Sequence, residues 1–156
     1  MDNHTIRWCL QSDLGFVADI ESRAYEYPLE YEDFILCLKR EDHVGLVVEK
    51  DNKIVGFMLY RIKKDHYEVI SMAVDPSYGR EGAGSQLITY LIHKIKRKIK
   101  MVVSDKNLKA HMFLKKNGFT AMNIHQNWFG PNHHGYEFSL SLVKPKKKKQ
   151  ESCELG

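Results

Sequence analysis

Residues 73–87, AVDPSYGREGAGSQL, join a strand-like segment to a helix through a proline turn and a glycine-rich bend. The apolar run at 68–74 stops at the proline turn, and an amphipathic segment follows the glycines. Gly82 and Gly84 lack a Cβ, so the main chain can approach a ligand while N–H groups near a helix N-terminus point at it. Those N–H groups belong to Arg80, Glu81, Ala83 and Ser85. We therefore expect this turn to hold an anion, in particular a pyrophosphate.

Two better-known phosphate loops fit this turn poorly. A nucleoside-triphosphate loop needs Lys-Ser/Thr after its last glycine, whereas Gly84 is followed by Ser85 and Gln86. A dinucleotide fingerprint needs a third glycine where Leu87 stands, although Asp105 lies at about the spacing of its acidic residue. A plain tight turn before a helix is the remaining alternative. The spacing favours a different phosphate-carrying cofactor.

The bulk composition is that of one globular domain. The 156 residues are 43% hydrophobic, a size at which a chain buries roughly two-thirds of its unfolded surface. Three widely spaced cysteines, Cys9, Cys37 and Cys153, indicate free thiols rather than a disulfide framework. No apolar run reaches the ~18 residues of a membrane span, and residues 1–4 carry no secretion signal. We expect a cytoplasmic protein with no membrane contact.

Much of the net charge of +4 lies in a lysine run near the C-terminus. Lys144 and residues 146–149 follow the last alternating apolar segment. This change in composition predicts a domain at 1–143 and a basic, disordered tail at 144–156. A weak electrostatic contact of the tail with RNA or the ribosome is the alternative role.

Periodicity along the chain predicts the element order β-α-α-β-β-β-α-β-α-β-β. Strand-like alternation occurs at 5–10, 44–49, 54–61, 67–74, 101–103, 119–128 and 136–143. Helical spacing occurs at 12–25, 31–39, after the glycines, and at 107–116. Residues 51–53 indicate a hairpin turn, Gly118 a helix C-cap, and residues 129–135 a loop. The fold class is α/β (α+β): one domain with a mixed, mostly antiparallel sheet flanked by helices.

This order, together with several short motifs, resembles the GNAT family of N-acetyltransferases. The motifs are AVDPSYGREGAG at 73–84, NLKA at 107–110 and FLKKNGF at 113–119. IESRA at 20–24, YPL at 27–29 with Phe34, NWF at 127–129 and GYE at 135–137 are similar to the branch that acetylates the N-terminal alanine of a ribosomal protein. The resemblance spans about residues 5–143 and implies an acetyl-CoA-dependent N-acetyltransferase.

The resemblance also assigns cofactor contacts. It implies that residues 80–85 wrap the CoA pyrophosphate, and that Met72, Ala73 and Val74 hold the pantetheine arm and thioester through main-chain hydrogen bonds. It implies that Asn107 faces the cofactor, and this asparagine can equally be a helix N-cap. Both roles are compatible.

Three positions depart from the family pattern. Gly79 stands where the pattern begins with a polar side chain, so one phosphate contact is missing or comes from Arg80. Leu114 occupies the position of the tyrosine that serves many members as general acid. Val102, five residues before Asn107, replaces the glutamate of the ribosomal-protein branch. Neither familiar proton-transfer residue is present.

Glu68 is the general base that the spacing favours. A period of two places Glu68, Ile70, Met72 and Val74 on one face of a strand that holds the acetyl group. An ordinary solvated or salt-bridged glutamate is the alternative. Tyr136 is a weaker second candidate for contact with the thiolate or the acceptor, its alternative being simple packing.

Aromatic residues are expected to flank the acceptor groove. Tyr27, Tyr31 and Trp128 are the predicted acceptor contacts, and nearby glutamates would favour a cationic amine. The adjacent histidines His133 and His134 are expected to face solvent, and no metal site is predicted. Three functions stay open: acetylation of a protein or peptide N-terminus, acetylation of a small amine, or a catalytically weak acyl-CoA-binding module docked on a ribonucleoprotein.

Overall fold

The computed structural model describes residues 4–79, 81–94 and 97–141. The strands are β1 (His4–Trp8), β2 (His43–Lys50), β3 (Lys53–Ile62), β4 (His66–Val74), β5 (Lys98–Ser104), β6 (Thr120–Gly130) and β7 (His133–Leu140). The helices are α1 (Leu14–Ala24), α2 (Tyr31–Leu38), α3 (Ala83–Lys94) and α4 (Leu108–Lys116). The predicted element order is confirmed, with two single-turn 3-10 helices added at Gln11–Asp13 and Pro76–Tyr78.

The strands form one seven-stranded sheet in the order β1-β2-β3-β4-β5-β7-β6. All neighbours are antiparallel except β4 and β5, so the predicted mixed, mostly antiparallel sheet is confirmed. The parallel pairing ends where Val69 meets Met101, although both strands continue. Beyond that point β4 and β5 diverge and leave a gap in the middle of the sheet, which we call the splay.

The sheet has an apolar core on each face. On one face α3 and α4 pack through Leu87, Ile88, Leu91 and Leu114. On the other face α1 and α2 pack through Leu14, Val17, Ile20 and Phe34. In α1 and α3 the apolar residues recur at three or four positions, which makes these two helices amphipathic. In the part of the chain that the structure describes, no helix is long and apolar enough to span a membrane.

A β-bulge in β4 inverts the alternation of its side chains. Leu59 of β3 pairs with Ser71, and Tyr60 pairs with Val69, so Ile70 has no counterpart. An extra residue reverses the faces of everything on one side of it. Met72 accordingly packs toward α3, whereas Ile70 packs toward α1. The predicted common face of residues 68, 70, 72 and 74 is therefore wrong.

Turn chemistry positions the β2–β3 and β6–β7 hairpins and the end of α4. Asp51 and Asn52 have φ values of 53° and 64°, which confirms the predicted hairpin, and Gly118 has a φ of 93°, which confirms the C-cap. The predicted loop at 129–135 is much shorter. Gly130 pairs directly with His133, because Gly130 and Asn132 adopt positive φ and close the turn tightly.

Candidate active site

A cleft of about 460 Å³ lies between the C-terminal part of β4 and the helices α3 and α4. It contains most of the residues that were predicted to bind a cofactor. These are Met72, Ala73, Val74, Gly82, Gly84, Ser85 and Asn107. We call this space the donor cleft.

Gly82 and Gly84 are required in the turn for different structural reasons. Gly82 has a φ of 86°, a conformation that side chains with a Cβ rarely adopt. A Cβ on Gly84 would lie 3.1 Å from the ring of Phe113, so this glycine lets α3 approach α4 closely. Both leave the first turn of α3 open to the cleft, where its N–H groups lack carbonyl partners within the helix. Such a turn fits a phosphate group.

Two predicted cofactor residues point elsewhere. The carboxylate of Glu81 binds the ammonium group of Lys50 on β2, which ties the turn to the neighbouring hairpin. The side chain of Ala83 is buried in the core. Ala83 can contribute its main-chain N–H alone, whereas the N–H of Glu81 already donates a hydrogen bond of 3.3 Å to the carbonyl of Tyr78. Arg80 lies outside the described residues.

The splay exposes one edge of β4 to the donor cleft. The hydroxyl of Tyr25, just after α1, donates a hydrogen bond to the main-chain carbonyl of Met72. The N–H and C=O of one strand residue point to the same edge, so the N–H of Met72 also faces the splay. Burial raises the pKa of Tyr25 to about 12, so its phenol stays protonated at neutral pH. The edge therefore offers a fixed N–H donor in the middle of the sheet.

Asn107 is the N-cap of α4, as predicted, and it also lines the donor cleft, while its contact with the cofactor stays a prediction. Its Oδ1 accepts a hydrogen bond of 3.1 Å from the N–H of Ala110, which caps α4. Its side of the helix start also lines the donor cleft. Cap and cleft position are thus provided by one residue.

A second cleft, of about 410 Å³, lies between the segment after α1 and the β6–β7 hairpin. Its floor is formed by β5 residues 101–104 together with Ile70 and Ser71 of β4. It shares Ala24, Tyr25, Met101 and Asn107 with the donor cleft. The two spaces therefore meet at the splay. We call this one the acceptor cleft.

A buried carboxylate shapes one wall of the acceptor cleft. Glu21 of α1 is only 3% exposed. Its Oε1 accepts a hydrogen bond of 2.6 Å from the hydroxyl of Ser71, and its Oε2 accepts one of 2.9 Å from the N–H of Leu29. Burial raises the pKa of Glu21 above its ordinary value. The Glu21 carboxylate thus joins α1 to β4 and to the segment before α2, which together form this wall of the acceptor cleft.

A serine and a histidine lie side by side on the opposite wall. His133, at the start of β7, is 9% exposed, and its Nε2 lies 2.9 Å from the Oγ of Ser104 on β5. The expectation that His133 faces solvent is wrong, because strand alternation turns it inward while His134 points to the other face. His134 instead accepts a hydrogen bond from the N–H of Asn127 through Nδ1.

The two predicted proton-transfer residues are not among the described residues that line either cleft. Glu68 forms a salt bridge of 2.7 Å with Arg61, since the bulge places its side chain on the face opposite Met72. The shared-face argument for Glu68 is therefore wrong, and its catalytic role stays an unsupported prediction. Tyr136 packs against the ring of His111, with centroids 5.2 Å apart, on the α4 face. This packing fits the alternative given for Tyr136, and its contact with the thiolate or the acceptor stays a prediction.

The predicted acceptor residues separate in the structure. Tyr27 lines the acceptor cleft, but Tyr31 begins α2 outside it and Trp128 packs on the ring of His125. Val102 lines the acceptor cleft and Leu114 lines the donor cleft. The sequence interpretation missed Ser104, Phe129 and His133, which the pairing of β7 with both β5 and β6 brings together.

Comparison with known proteins agrees with this arrangement. The chain is 25% identical over 146 residues to a protein of Salmonella typhimurium named [ribosomal protein bS18]-alanine N-acetyltransferase, covering 91% of this chain and 97% of that protein. The crystal structure of the ribosomal-protein-S18-alanine N-acetyltransferase from Escherichia coli has a TM-score of 0.80 at 22% identity, covering 92% and 97% of the two chains.

A more distant structure shares the same fold. The aminoglycoside 6'-N-acetyltransferase crystallised with coenzyme A has a TM-score of 0.76 at 12% identity, covering 92% of this chain and 99% of that one. The sequence profile described as the acetyltransferase (GNAT) family matches residues 8–119, which is most of the chain. Two clefts that meet at a splayed strand pair thus occur in a chain that belongs to the GNAT family of acetyltransferases.

Proposed function

We propose that this acetyl-CoA-dependent N-acetyltransferase modifies the N-terminal amine of a protein or peptide, in the cytoplasm. The observation that carries the proposal is the meeting of the two clefts at Tyr25, Met101 and Asn107. A donor in one cleft and an amine in the other can approach each other there without leaving their sites. The relatives at 25% identity are named for acetylation of a ribosomal-protein alanine, which supports this class of acceptor.

The donor cleft fits CoA through main-chain groups of this chain. The first turn of α3 at Gly84 and Ser85 would bind the pyrophosphate, and the exposed edge of β4 would align the pantetheine arm. Bound acetyl-CoA supplies the acetyl thioester that an uncharged amine attacks. The N–H of Met72 would donate to the thioester carbonyl oxygen, where negative charge develops. Tyr25 holds that strand edge in position.

The acceptor cleft combines aromatic rings with acidic groups. Tyr27 and Phe129 provide apolar surfaces for a short extended peptide, and Glu26 stands at the rim. A carboxylate there attracts an ammonium group and disfavours an acidic acceptor. Lys106 adds a cation to the lining, so it can pair with a carbonyl or carboxylate further along the peptide.

Two measurements test this function. Saturation with CoA at about 100 times its Kd should raise the Tm by roughly 5 °C or more. CoA release should then be followed with an alanine-starting peptide, the same peptide carrying a blocked N-terminus, and a polyamine. The proposal expects turnover with the free N-terminus only. Preference for the polyamine would support the small-amine alternative.

The catalytically weak alternative has its own signature. Leu114 and Val102 leave the familiar proton-transfer positions apolar, so CoA stabilisation without turnover of any acceptor would identify a binding module. The lysine run at 144–149 lies outside the described residues, and its RNA contact stays a prediction. RNA binding that weakens steeply with salt and disappears on replacing these lysines with glutamine would support it.

A further inference from the structure

We propose that His133, held by Ser104, takes the proton from the acceptor amine. This inference rests on the proposed function, because it assigns the proton step of that reaction. His133 lies at neither of the two familiar proton-transfer positions, which Val102 and Leu114 occupy with apolar side chains. The geometry of the acceptor cleft carries it.

Ser104 fixes the imidazole from the β5 side. The Oγ of Ser104 accepts a hydrogen bond of 3.1 Å from the N–H of Lys106 and lies 2.9 Å from Nε2 of His133. The main-chain carbonyl of Ser104 lies 2.9 Å from Nε2 of His111 on α4. The hydroxyl therefore has a defined position, and one ring nitrogen of His133 is engaged.

The other ring nitrogen is available. Nδ1 of His133 has no hydrogen-bond partner among the described residues, and it is not fully buried. It therefore keeps contact with solvent, and the residue lines the acceptor cleft. The rings of Tyr27 and Phe129, with centroids 6.0 Å and 5.6 Å away, flank the imidazole and limit its rotation. With Nε2–H donated to Ser104, Nδ1 presents a lone pair.

The remaining titratable groups of the acceptor cleft are poorly suited to accept the proton of the amine. They are Glu21, Tyr25, Glu26, Tyr27 and Lys106. Both oxygens of Glu21 are engaged in buried hydrogen bonds. Burial raises the pKa of Tyr25 to about 12, so its phenol carries its proton at neutral pH, and an ammonium group has no lone pair. Glu26 is exposed at the rim.

An imidazole and a carboxylate differ in how readily they take a proton from an amine. Transfer from an α-ammonium group to an ordinary imidazole is unfavourable by about 25-fold, and to an ordinary glutamate by about 4,000-fold. In the step, the N–H bond of the ammonium group breaks, and its electron pair stays on the nitrogen for attack on the acetyl carbon. Nδ1 of His133 gains the proton, directly or through one water, and the imidazolium keeps its Nε2–H bond to Ser104.

The test compares the full chain with His133→Gln across pH 5.5–8.5, using the alanine-starting peptide or whichever amine the wild type accepts. We divide the wild-type kcat/KM by that of the variant at each pH, and titration of the acceptor amine cancels in this ratio. We expect that ratio to rise with pH and to reach about 100-fold or more. Its midpoint should equal the titration midpoint of the His133 ring, measured by NMR of the free protein. His93→Gln, at an exposed histidine of α3, is the matched control.

A second pair of variants separates chemistry from folding. His133→Ala should regain part of its activity with added imidazole, whereas Ser104→Ala should lose activity less and shift the NMR midpoint. CoA binding followed by Tm should stay unchanged in all three variants. A ratio that is constant with pH, or no rescue by imidazole, overturns the role of His133 while leaving the proposed function intact. A wild type that binds CoA but acetylates no amine overturns both.

Discussion

The phenol of Tyr25 donates a hydrogen bond to the main-chain carbonyl of Met72, and this contact ties the end of α1 to β4 at the splay. The helix that builds the acceptor cleft is therefore attached to the strand edge that faces the donor cleft. Together with the hydrogen bond from Ser71 to Glu21, this contact fixes the position of α1 against β4.

Replacing Tyr25 with phenylalanine should destabilise the protein by about 1–2 kcal/mol, because a partly buried carbonyl loses its donor. Urea unfolding of Tyr25→Phe measures this change. Tyr27→Phe is the matched control, since Tyr27 is 68% exposed, and it should change the free energy of unfolding by less than about 0.5 kcal/mol. Equal effects of the two substitutions would contradict a structural role for the Tyr25 hydroxyl.

Glu21 should make the free energy of unfolding depend on pH. Burial raises its pKa in the folded protein above the ordinary 4.5, so the folded state holds the proton more tightly than the unfolded state. That contribution is full below about pH 4.5 and is lost as the pH rises through the folded pKa. Glu21→Gln removes the titration and can keep both hydrogen bonds, with Ser71 as acceptor.

Unfolding of Glu21→Gln and the wild type by urea between pH 4 and pH 8 checks this sign. We expect the variant to gain stability relative to the wild type as the pH rises, and then to keep a constant advantage. Glu21→Ala should instead lose about 2 kcal/mol or more, because two buried donors lose their acceptor. If the free energy of unfolding of Glu21→Gln instead fell relative to the wild type as the pH rises, the ionised carboxylate would be stabilising.

Gly79→Gln should be tolerated and should tighten CoA binding. Gly79 has an ordinary φ of −67°, and a Cβ there would meet its nearest atom, the Pro76 carbonyl oxygen, at 3.5 Å. A polar side chain at this edge of the donor cleft adds one phosphate contact, worth roughly 2–10-fold in Kd. Calorimetric titration with CoA measures it.

Gly82→Ala is the contrasting variant for that turn. Its φ of 86° would place a Cβ in a strained conformation, which costs about 1–2 kcal/mol. We expect weaker CoA binding and a lower Tm. Equal tolerance at Gly79 and Gly82 would contradict the distinct roles assigned to the two glycines.

Gly135 should resist substitution because Val102 occupies the space beside it. A Cβ on Gly135 would lie 2.6 Å from Cγ1 of Val102 and 3.1 Å from the Cβ of Trp128. Gly135→Ala should therefore cost about 1–3 kcal/mol. Adding Val102→Ala should recover part of that loss, so a double-mutant cycle by urea unfolding should give a favourable coupling energy. Strict additivity would show that the two positions do not press on each other.

Local chemistry made the element order and the turns predictable. Asp51, Asn52 and Gly118 adopt positive φ because of their own side-chain character, and this is visible in a short stretch of sequence. The glycine-rich turn was likewise placed at the N-terminus of α3. These features depend on neighbours along the chain.

The acceptor side depends on pairings between distant residues. The bulge at Ile70 arises from the register between β3 and β4, and no alternation within β4 itself reveals it. The contact of Ser104 with His133 joins residues 29 positions apart through the β5–β7 register. Without knowledge of that register, the sequence shows only two adjacent histidines in a predicted loop. It does not reveal that their side chains point to opposite faces of the sheet.

The gap between β4 and β5 has a kinetic consequence. Helices α3 and α4 border the donor side and the segment after α1 borders the acceptor side, so neither substrate has to pass through the site of the other. The cysteines Cys9 and Cys37 line neither cleft, and burial raises the pKa of Cys9 to about 11. Initial-rate plots against both substrates should therefore intersect, as for a ternary complex, rather than run parallel as they would for a covalent acetyl-enzyme.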